Sequence, residues 1–395
     1  MRYAVDLGLR VVLLQHRDRL LPGQADLAHA VILVDYLDWT VTRPFILAAH
    51  EAYGIGRALS LIDQGTAVAG RINDLIGSAG TSYEVAMRFR DKAAMRRRLA
   101  GTGVESVPQA TVDGEPDLRA FGALHGYPLV LKPVDGSGSR GVRKVGGPGE
   151  VAEAWQWAHS LVGRPDLKMA HFFPVGGFLA ERYLDGPEFS VETFSRDGRH
   201  TVVGITEKIT TGVVEAGHVL PARLAPESAA AVAAHVVRVL DALGLRDGPA
   251  HTELVLTEQG PRVIETHDRV GGGGIVQLVK LVYDIDLEQY AVGAADGLLP
   301  ALPDNPTPRR AAATRFLTAR PGRVAAISGV QEVSARPDVI SVNLRVGVGG
   351  RVAPLVENFD RIGQLIAVGP DADRALKTCE EAVGDIEIVT AQDDR

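Results

Sequence analysis

Short apolar runs alternate with longer amphipathic stretches over much of this chain, and that alternation sets the expected elements. Val11 to Leu14 and Ala30 to Val34 read as buried parallel strands, and Pro44 to Ile62 reads as a helix. Residues 1–85 are therefore expected to form a small α/β unit. Its opening is unusual: Arg2 to Leu9 reads as helix where such a unit normally starts with a strand and a glycine turn, so the first strand is expected to be absent or supplied differently. Thr81 to Leu99 predicts one long helix stopped by Gly101 and Gly103, after which Val104 to Val112 leads into strand. Trp155 and Trp157 fall in a helical stretch and are assigned to packing. Phe178 to Leu184 and Glu188 to Phe194 read as strands joined by Asp185-Gly-Pro187, and Ala229 to Leu243 as a helix. Val255 to Leu256 and Arg262 to Glu265 are expected to pair across Glu258-Gln-Gly260. Beyond Leu299-Pro-Ala-Leu-Pro303 the chain turns to Arg-, Val- and Gly-rich short strands up to Val389, and no internal repeat is evident. The pattern describes an α/β (α+β) chain in three modules, residues 1–85, 86–300 and 301–395.

One stretch departs from simple patterning. Tyr127 to Val145 places Lys132 and the loop Asp135-Gly-Ser-Gly-Ser-Arg-Gly141 between two apolar runs. Gly136, Gly138 and Gly141 match Gly-x-Gly-x-x-Gly, but the dinucleotide-binding version needs a helix straight after the glycines. Gly141 is succeeded instead by Val142-Arg-Lys-Val145 and then Gly146-Gly-Pro148, a strand and a turn, so the loop is expected to cap a hairpin. Glycines there let the backbone fold over phosphates, with Ser137, Ser139 and Arg140 as further donors. For a glycine cluster alone, a solvent-exposed turn is the favoured explanation. Lys132 weighs against that, because a lysine directly after the buried run Leu129-Val-Leu131 needs an anionic partner.

Composition narrows the partners. The chain has 395 residues, 46% apolar and 23% charged, which suits two or three soluble globular modules. A formal charge of -7 argues against nucleic acid, and Arg96-Arg-Arg98 is read as the solvated face of a helix. Cys379 is the only cysteine, which excludes intrachain disulfides and cysteine zinc clusters and suits a reducing cytosol. Neither a signal peptide nor a run long enough to cross a bilayer is expected.

A second constellation is acidic. Glu253 and Glu265 flank the Glu258-Gln-Gly260 turn close to cross-strand register, so their side chains can converge on one face and ask for a cation. A hard ion such as Mg2+ takes a few carboxylate oxygens together with substrate phosphates. His267, two residues beyond Glu265, is placed either to add a ligand or to orient a phosphate. Arg269 and Gly271 to Gly274 then offer a fixed cation and exposed N–H groups to an anion.

Taken together these residues resemble the ATP-grasp superfamily of carboxylate-amine ligases, over nearly the whole chain. The resemblance implies an ATP-grasp fold with a Rossmann-like N-terminal domain and a small β-rich domain that closes over the site. It also implies roles for individual residues. Lys92, in Arg90-Asp-Lys92, and Lys132 match the two lysines that contact the ATP phosphates; Glu181-Arg-Tyr-Leu184 matches the hinge, with Glu181 and the backbone at Tyr183 and Leu184 holding adenine; Glu188 matches the ribose acid. Glu253 and Glu265 match the ligands of Mg2+, with Mn2+ as the alternative, and Arg269 matches the arginine that steadies an acyl-phosphate. His267 departs from the family, which has asparagine there.

A further segment, Thr206 to Pro221, resembles the Glu-x-Gly-His-x-x-Pro pattern of L-amino-acid ligases of the bacilysin-synthetase type. It implies Glu215 facing an ammonium group and His218 beside the reacting carboxylate, with Gly272 and Gly273 at the substrate; without the family, His218 reads equally as a core histidine bonded to backbone. The implied reaction activates an amino-acid carboxylate as an acyl-phosphate, joins it to an amine and releases ADP and phosphate. Its partners are a small carboxylate and a small amine, with no nucleic acid and no membrane, and the family implies a homodimer through the first domain. Two other readings stay open: a ligase of the same fold acting on a non-amino-acid carboxylate or small nucleophile, and a nucleotide-binding module without catalysis.

Overall fold

Local chemistry sets the ends of the N-terminal elements, and a computed structural model of the protein describes residues 1–164 and 175–391. The chain opens in a short helix, Arg2–Asp6, as the pattern predicts, and Val12–Gln15 pairs in parallel with Ala30–Leu33. These strands stand alone as a two-stranded sheet and are only half-buried, not the buried pair expected. The helix expected over 44–62 runs instead from Trp39 to Tyr53. Asp38 sets its start by accepting from the N–H groups of Thr40 and Val41, and Gly54, at φ 62°, ends it in the left-handed conformation that glycine adopts without strain. A second helix, Asp63–Ile76, comes next.

The single long helix expected over 81–99 is two. Tyr83–Arg90 stops at Asp91, whose extended backbone (φ -97°, ψ 107°) breaks the spiral while its carboxylate caps the next helix, Lys92–Gly101, by accepting from Ala94 N–H. The break has a positional consequence. It puts Lys92 at the first turn of a new helix, its N–H donating to Val134 O, with the side chain turned inward and 7% exposed.

Two antiparallel sheets frame the middle of the molecule. The smaller has the order Gln109–Val112, Phe178–Arg182, Leu129–Pro133, Arg143–Val145, so the glycine loop does cap a hairpin, with Leu131 opposite Arg143. The larger has eight strands in the order Gly260–His267, Gly248–Thr257, Glu188–Arg196, Arg199–Thr211, Val214–Leu220, Ala311–Leu317, Gly363–Gly369, Val339–Leu344. Its last three members come from the segment beyond residue 300, so the sheet is continuous across that point. The helix Pro226–Leu243 packs on one face through Val232, Val236, Val239, Leu240 and Leu243, a spacing that keeps its apolar stripe on the sheet. Ile275–Tyr283 covers the sheet further along, with Leu278, Val279 and Val282 against Leu220 and Ala312.

The C-terminal segment is not built of strands alone. Ala372–Gly384 is a helix, started by Asp371 and packed through Ala375, Cys379 and Ala382 against Ala313 and Ala367. Cys379 lies at its buried face, and burial pushes the thiol up to about 12, which keeps it protonated and inert. Among the described residues no helix is long and apolar enough to cross a membrane.

Candidate functional site

Four segments distant in sequence meet between the two sheets. The hairpin Gly248–Thr257/Gly260–His267 supplies the acids: its register pairs Glu253 with Glu265 directly, with an irregularity between Glu253 and Leu254. Directly opposed residues on one face lie close enough for two carboxylates to share one cation. Each carboxylate is already matched by a lysine. Lys92 Nζ lies 2.5 Å from Glu265 Oε2 and also donates to Gly136 O at 2.9 Å, so it ties the acid to the glycine loop. Lys208 Nζ lies 2.8 Å from Glu253 Oε2, 2.8 Å from Glu215 Oε1 and 3.1 Å from Glu188 Oε1.

These partners set the charge states. Burial works against the charge of Glu253, but Lys208 and His251 outweigh it and hold the carboxyl down at about 2. Glu265 is likewise buried and held well below the usual carboxylate range by Lys92 and His267. Burial opposes the charge on Lys208 too, and Glu215, Glu253 and Glu188 together raise it well above an ordinary lysine. Two opposed, ionised acids form a donor set for a hard ion. Among the described residues no three His, Cys, Asp or Glu side chains form a metal cage. The pair fits a cation that takes its other ligands from phosphates and water, as Mg2+ does.

His267, expected as a metal ligand or phosphate contact, has both ring nitrogens facing carboxylates: Nδ1 is 3.0 Å from Asp63 Oδ1 and Nε2 is 3.4 Å from Glu265 Oε1. Burial lowers its pKa and Asp63 raises it, with a net rise. Arg269 is clamped by the same Asp63, through Nε at 2.5 Å and a second N–H at 2.9 Å. Ser137 Oγ donates to Asp63 Oδ2 at 3.3 Å, bringing the glycine loop to the same carboxylate.

At the hinge, Glu181 lies in the interior, where its oxygens take Arg96 Nε at 2.7 Å and Lys132 Nζ at 2.6 Å. Burial raises its pKa, but Arg96 and Lys132 prevail and bring it to about 2. Arg96, expected on a solvated face, is 3% exposed and also binds Glu105 at 2.9 Å; a helix that buries its arginine between two acids has no free basic patch there. Arg97 and Arg98 are exposed, as read from the sequence. Tyr183 N–H donates to Pro128 O, and Lys144 Nζ lies 3.7 Å above the Tyr183 ring. Tyr183 and Leu184 border a cavity of about 730 Å3 lined also by Val107, Pro108 and, from the acid hairpin, Leu256 and Arg262.

Arg140 and Ser139 likewise have protein partners. Arg140 makes a two-pronged pair with Glu357 (2.8 and 2.8 Å) and sits over the Phe359 ring, while Asn358 donates to Ser139 Oγ and its N–H to Gly138 O. The C-terminal segment therefore grips the glycine loop directly. Asn358 Oδ1 also accepts from Glu215 N–H, and Arg361 binds Glu215 Oε2 at 3.0 Å while stacking 3.6 Å over Phe316.

His218 stands in the wall this forms. It is 1% exposed, its ring meets Phe316 edge-on at 5.4 Å, and neither nitrogen has a hydrogen-bond partner among the described residues. Nε2 is 3.5 Å from Glu215 Oε2. The core-histidine reading with a backbone bond therefore does not hold. Gly273, at φ 59°, passes so close to His218 that a Cβ would lie 2.8 Å from Cε1, whereas Gly272 faces open space.

Four residues that the structure brings into this cluster escape sequence reasoning: Asp63, Lys208, His251 and Glu357. His251 bridges Glu253 (3.1 Å) and the buried Glu192 (2.6 Å), and although burial lowers its pKa, the two acids lift it to about 9. Lys208 had a signal, since it stands two residues after Thr206 on the inward face of its strand. Asp63 had none: it looks like any helix-opening acid.

Known proteins match the chain in the same segments. Residues 125–277 match the ATP-grasp domain model and residues 315–391 the L-amino acid ligase C-terminal domain 2 model. The protein y4rH of Sinorhizobium fredii is 31% identical over 85% of this chain and 69% of its own length. An L-arginine-specific L-amino acid ligase of Bacillus subtilis is 24% identical over 70% of this chain and 67% of its own. The crystal structure of an L-amino acid ligase from Bacillus licheniformis superposes with a TM-score of 0.83 at 24% identity, covering 99% of this chain and 95% of that one.

Proposed function

Since the chain belongs to the ATP-grasp carboxylate-amine ligases of the L-amino-acid ligase type, we propose that it phosphorylates an amino-acid carboxylate with ATP, couples the acyl-phosphate to the amine of a second substrate and releases ADP and phosphate. The observation that carries this reading is the opposed pair Glu253 and Glu265, each ionised and backed by a buried lysine, beside Arg269 on Asp63.

In this reading ATP lies between the sheets. The hinge backbone at Tyr183 and Leu184 receives adenine and Glu188 the ribose, while Lys92, Lys132 and the loop with Ser137, Ser139 and Arg140 surround the phosphates. Mg2+ on Glu253 and Glu265 supplies neutralisation of phosphate charge. Lys92, tied to both Glu265 and Gly136 O, holds the loop over that charge, so transfer relies on positioning and electrostatics. Arg269, fixed by donating two hydrogen bonds to Asp63, is placed for the acyl-phosphate. Glu215 and His218 face the amino-acid site, where the His218 ring, with Nε2 3.5 Å from Glu215 Oε2, takes a proton from the substrate ammonium group so that the neutral amine attacks the acyl-phosphate and expels phosphate. The grip of Glu357 and Asn358 on the glycine loop excludes water, which competes with the amine for the acyl-phosphate.

The test is ADP and phosphate release from Mg-ATP against L-amino acids singly and in pairs, with mass spectrometry of products. Amino-acid-dependent ADP together with a dehydrated dimer mass is expected. Glu265→Ala should abolish that release with the melting curve intact; undiminished turnover in that variant would sink the metal assignment.

A further inference from the structure

A second cavity, of about 500 Å3, opens on the other side of the helix Asp63–Ile76, lined by Trp39, Gln64, Ala67, Arg71, Tyr83 and Met87. Its volume is in the range of small-ligand sites and admits a whole aromatic amino acid. Gln64, Ala67 and Arg71 fall on one face of that helix by their spacing. Gln64 is only 8% exposed, and its amide makes no hydrogen bond among the described residues. An amide on a cavity wall with no protein partner has its donors and its acceptor to offer a ligand.

Arg71 is the second pointer. Its guanidinium lies 5.7 Å from the Trp39 ring and 4.5 Å from the Tyr83 ring, and it donates to Tyr83 Oη at 3.0 Å. Among the described residues it makes no ion pair, while the nearby Arg90 is balanced by Asp135 at 4.0 Å. The lining thus offers two aromatic faces, a sulfur-bearing apolar chain and a planar cation with donor capacity remaining. It also adjoins the reacting groups: Gln64 is the neighbour of Asp63, which holds Arg269, and the cavity's far wall is Val134 and Asp135, directly after the strand that carries Lys132.

We propose that this cavity is the side-chain pocket for one amino-acid substrate and that it selects a flat side chain ending in a hydrogen-bond acceptor. The amino-acid nature of the ligand rests on the ligase reading above; the shape and polarity of the side chain come from the cavity. Trp39 and Tyr83 take the flat body, and Arg71 with Gln64 donates to its polar end.

The experiment needs no turnover. The full-length protein without ATP is titrated with L-tyrosine, L-phenylalanine and L-alanine while tryptophan emission is monitored, and Trp39→Phe identifies which of the three tryptophans responds. L-Tyrosine is expected to give a saturable change that Trp39→Phe removes, and to bind about tenfold tighter than L-phenylalanine, the equivalent of one added hydrogen bond. Arg71→Met is expected to erase that tenfold difference; if its melting curve shows unfolding, Gln64→Leu is read in its place and should at least reduce it. Equal responses to all three amino acids, or a tyrosine preference that survives both variants, overturns the pocket. The ligase reading fails separately: no amino acid would then stimulate ADP release, whatever the emission shows.

Discussion

At the residue scale the molecule runs on buried charges held in small networks of opposite sign. Glu181 is the clearest case, since its charge is retained in the interior only because Arg96 and Lys132 both reach it. A carboxyl held at about 2 when folded against an ordinary 4.5 binds fewer protons in the native state. Its contribution to stability is therefore present above pH 4.5 and is lost as pH falls from there toward 2, by at most about 3 kcal/mol at roughly 1.4 kcal/mol per unit. Urea unfolding at pH 6, 4 and 3 should show a falling midpoint, and Glu181→Gln should flatten that fall. Arg96→Met should be the worse lesion, by about 3–5 kcal/mol, because it leaves Glu181 and Glu105 buried with fewer partners. An unchanged midpoint in Arg96→Met would overturn this account.

At the scale of elements, breaks matter more than lengths. The interruption at Asp91 converts one helix into two and aims Lys92 at Glu265 and Gly136. Asp91→Ala removes the cap on Ala94 N–H, which should lower stability by about 1 kcal/mol. It should also lower kcat for ADP release by more than that loss explains, because Lys92 no longer starts a fixed helix. A variant that loses stability yet keeps kcat would separate the cap from the lysine. The split was only faintly legible in the sequence: Tyr83 to Leu99 carries no glycine or proline, and Asp91, a poor helix former and a good N-cap, is the single signal of a break. What decided it was the tertiary bond from Lys92 N–H to Val134 O. The hairpin around the glycine loop, by contrast, was legible, because a strand and a turn directly after Gly141 left no room for a helix.

Across the whole molecule, the C-terminal segment is bound into the site at two levels. It contributes Ala311–Leu317 beside the strand of His218, and it holds the glycine loop with Glu357 and Asn358. The pairing of Arg140 with Glu357 is two-pronged, with Arg140 2% exposed, which makes it a latch and not a surface ion pair. Glu357→Gln should speed amide exchange at Gly136 to Gly141, leave exchange in the sheet cores unchanged and raise ATP consumption uncoupled from product. Exchange at wild-type rates in the loop would show that Asn358 and Phe359 hold it without the charge.

The sequence by itself determined the fold class, Lys132 and the acid pair, since these depend on local pattern: a lysine after a buried run, a turn that sets cross-strand register, glycines where no helix can form. It also carried the family. Tertiary structure alone decided which charges meet. Asp63 finds Arg269 across 206 residues, Glu357 finds Arg140 across 217, and Lys208 gathers three acids from three strands. A charged side chain in sequence looks the same whether water or a buried partner solvates it, and only the fold, by removing the water, makes that choice.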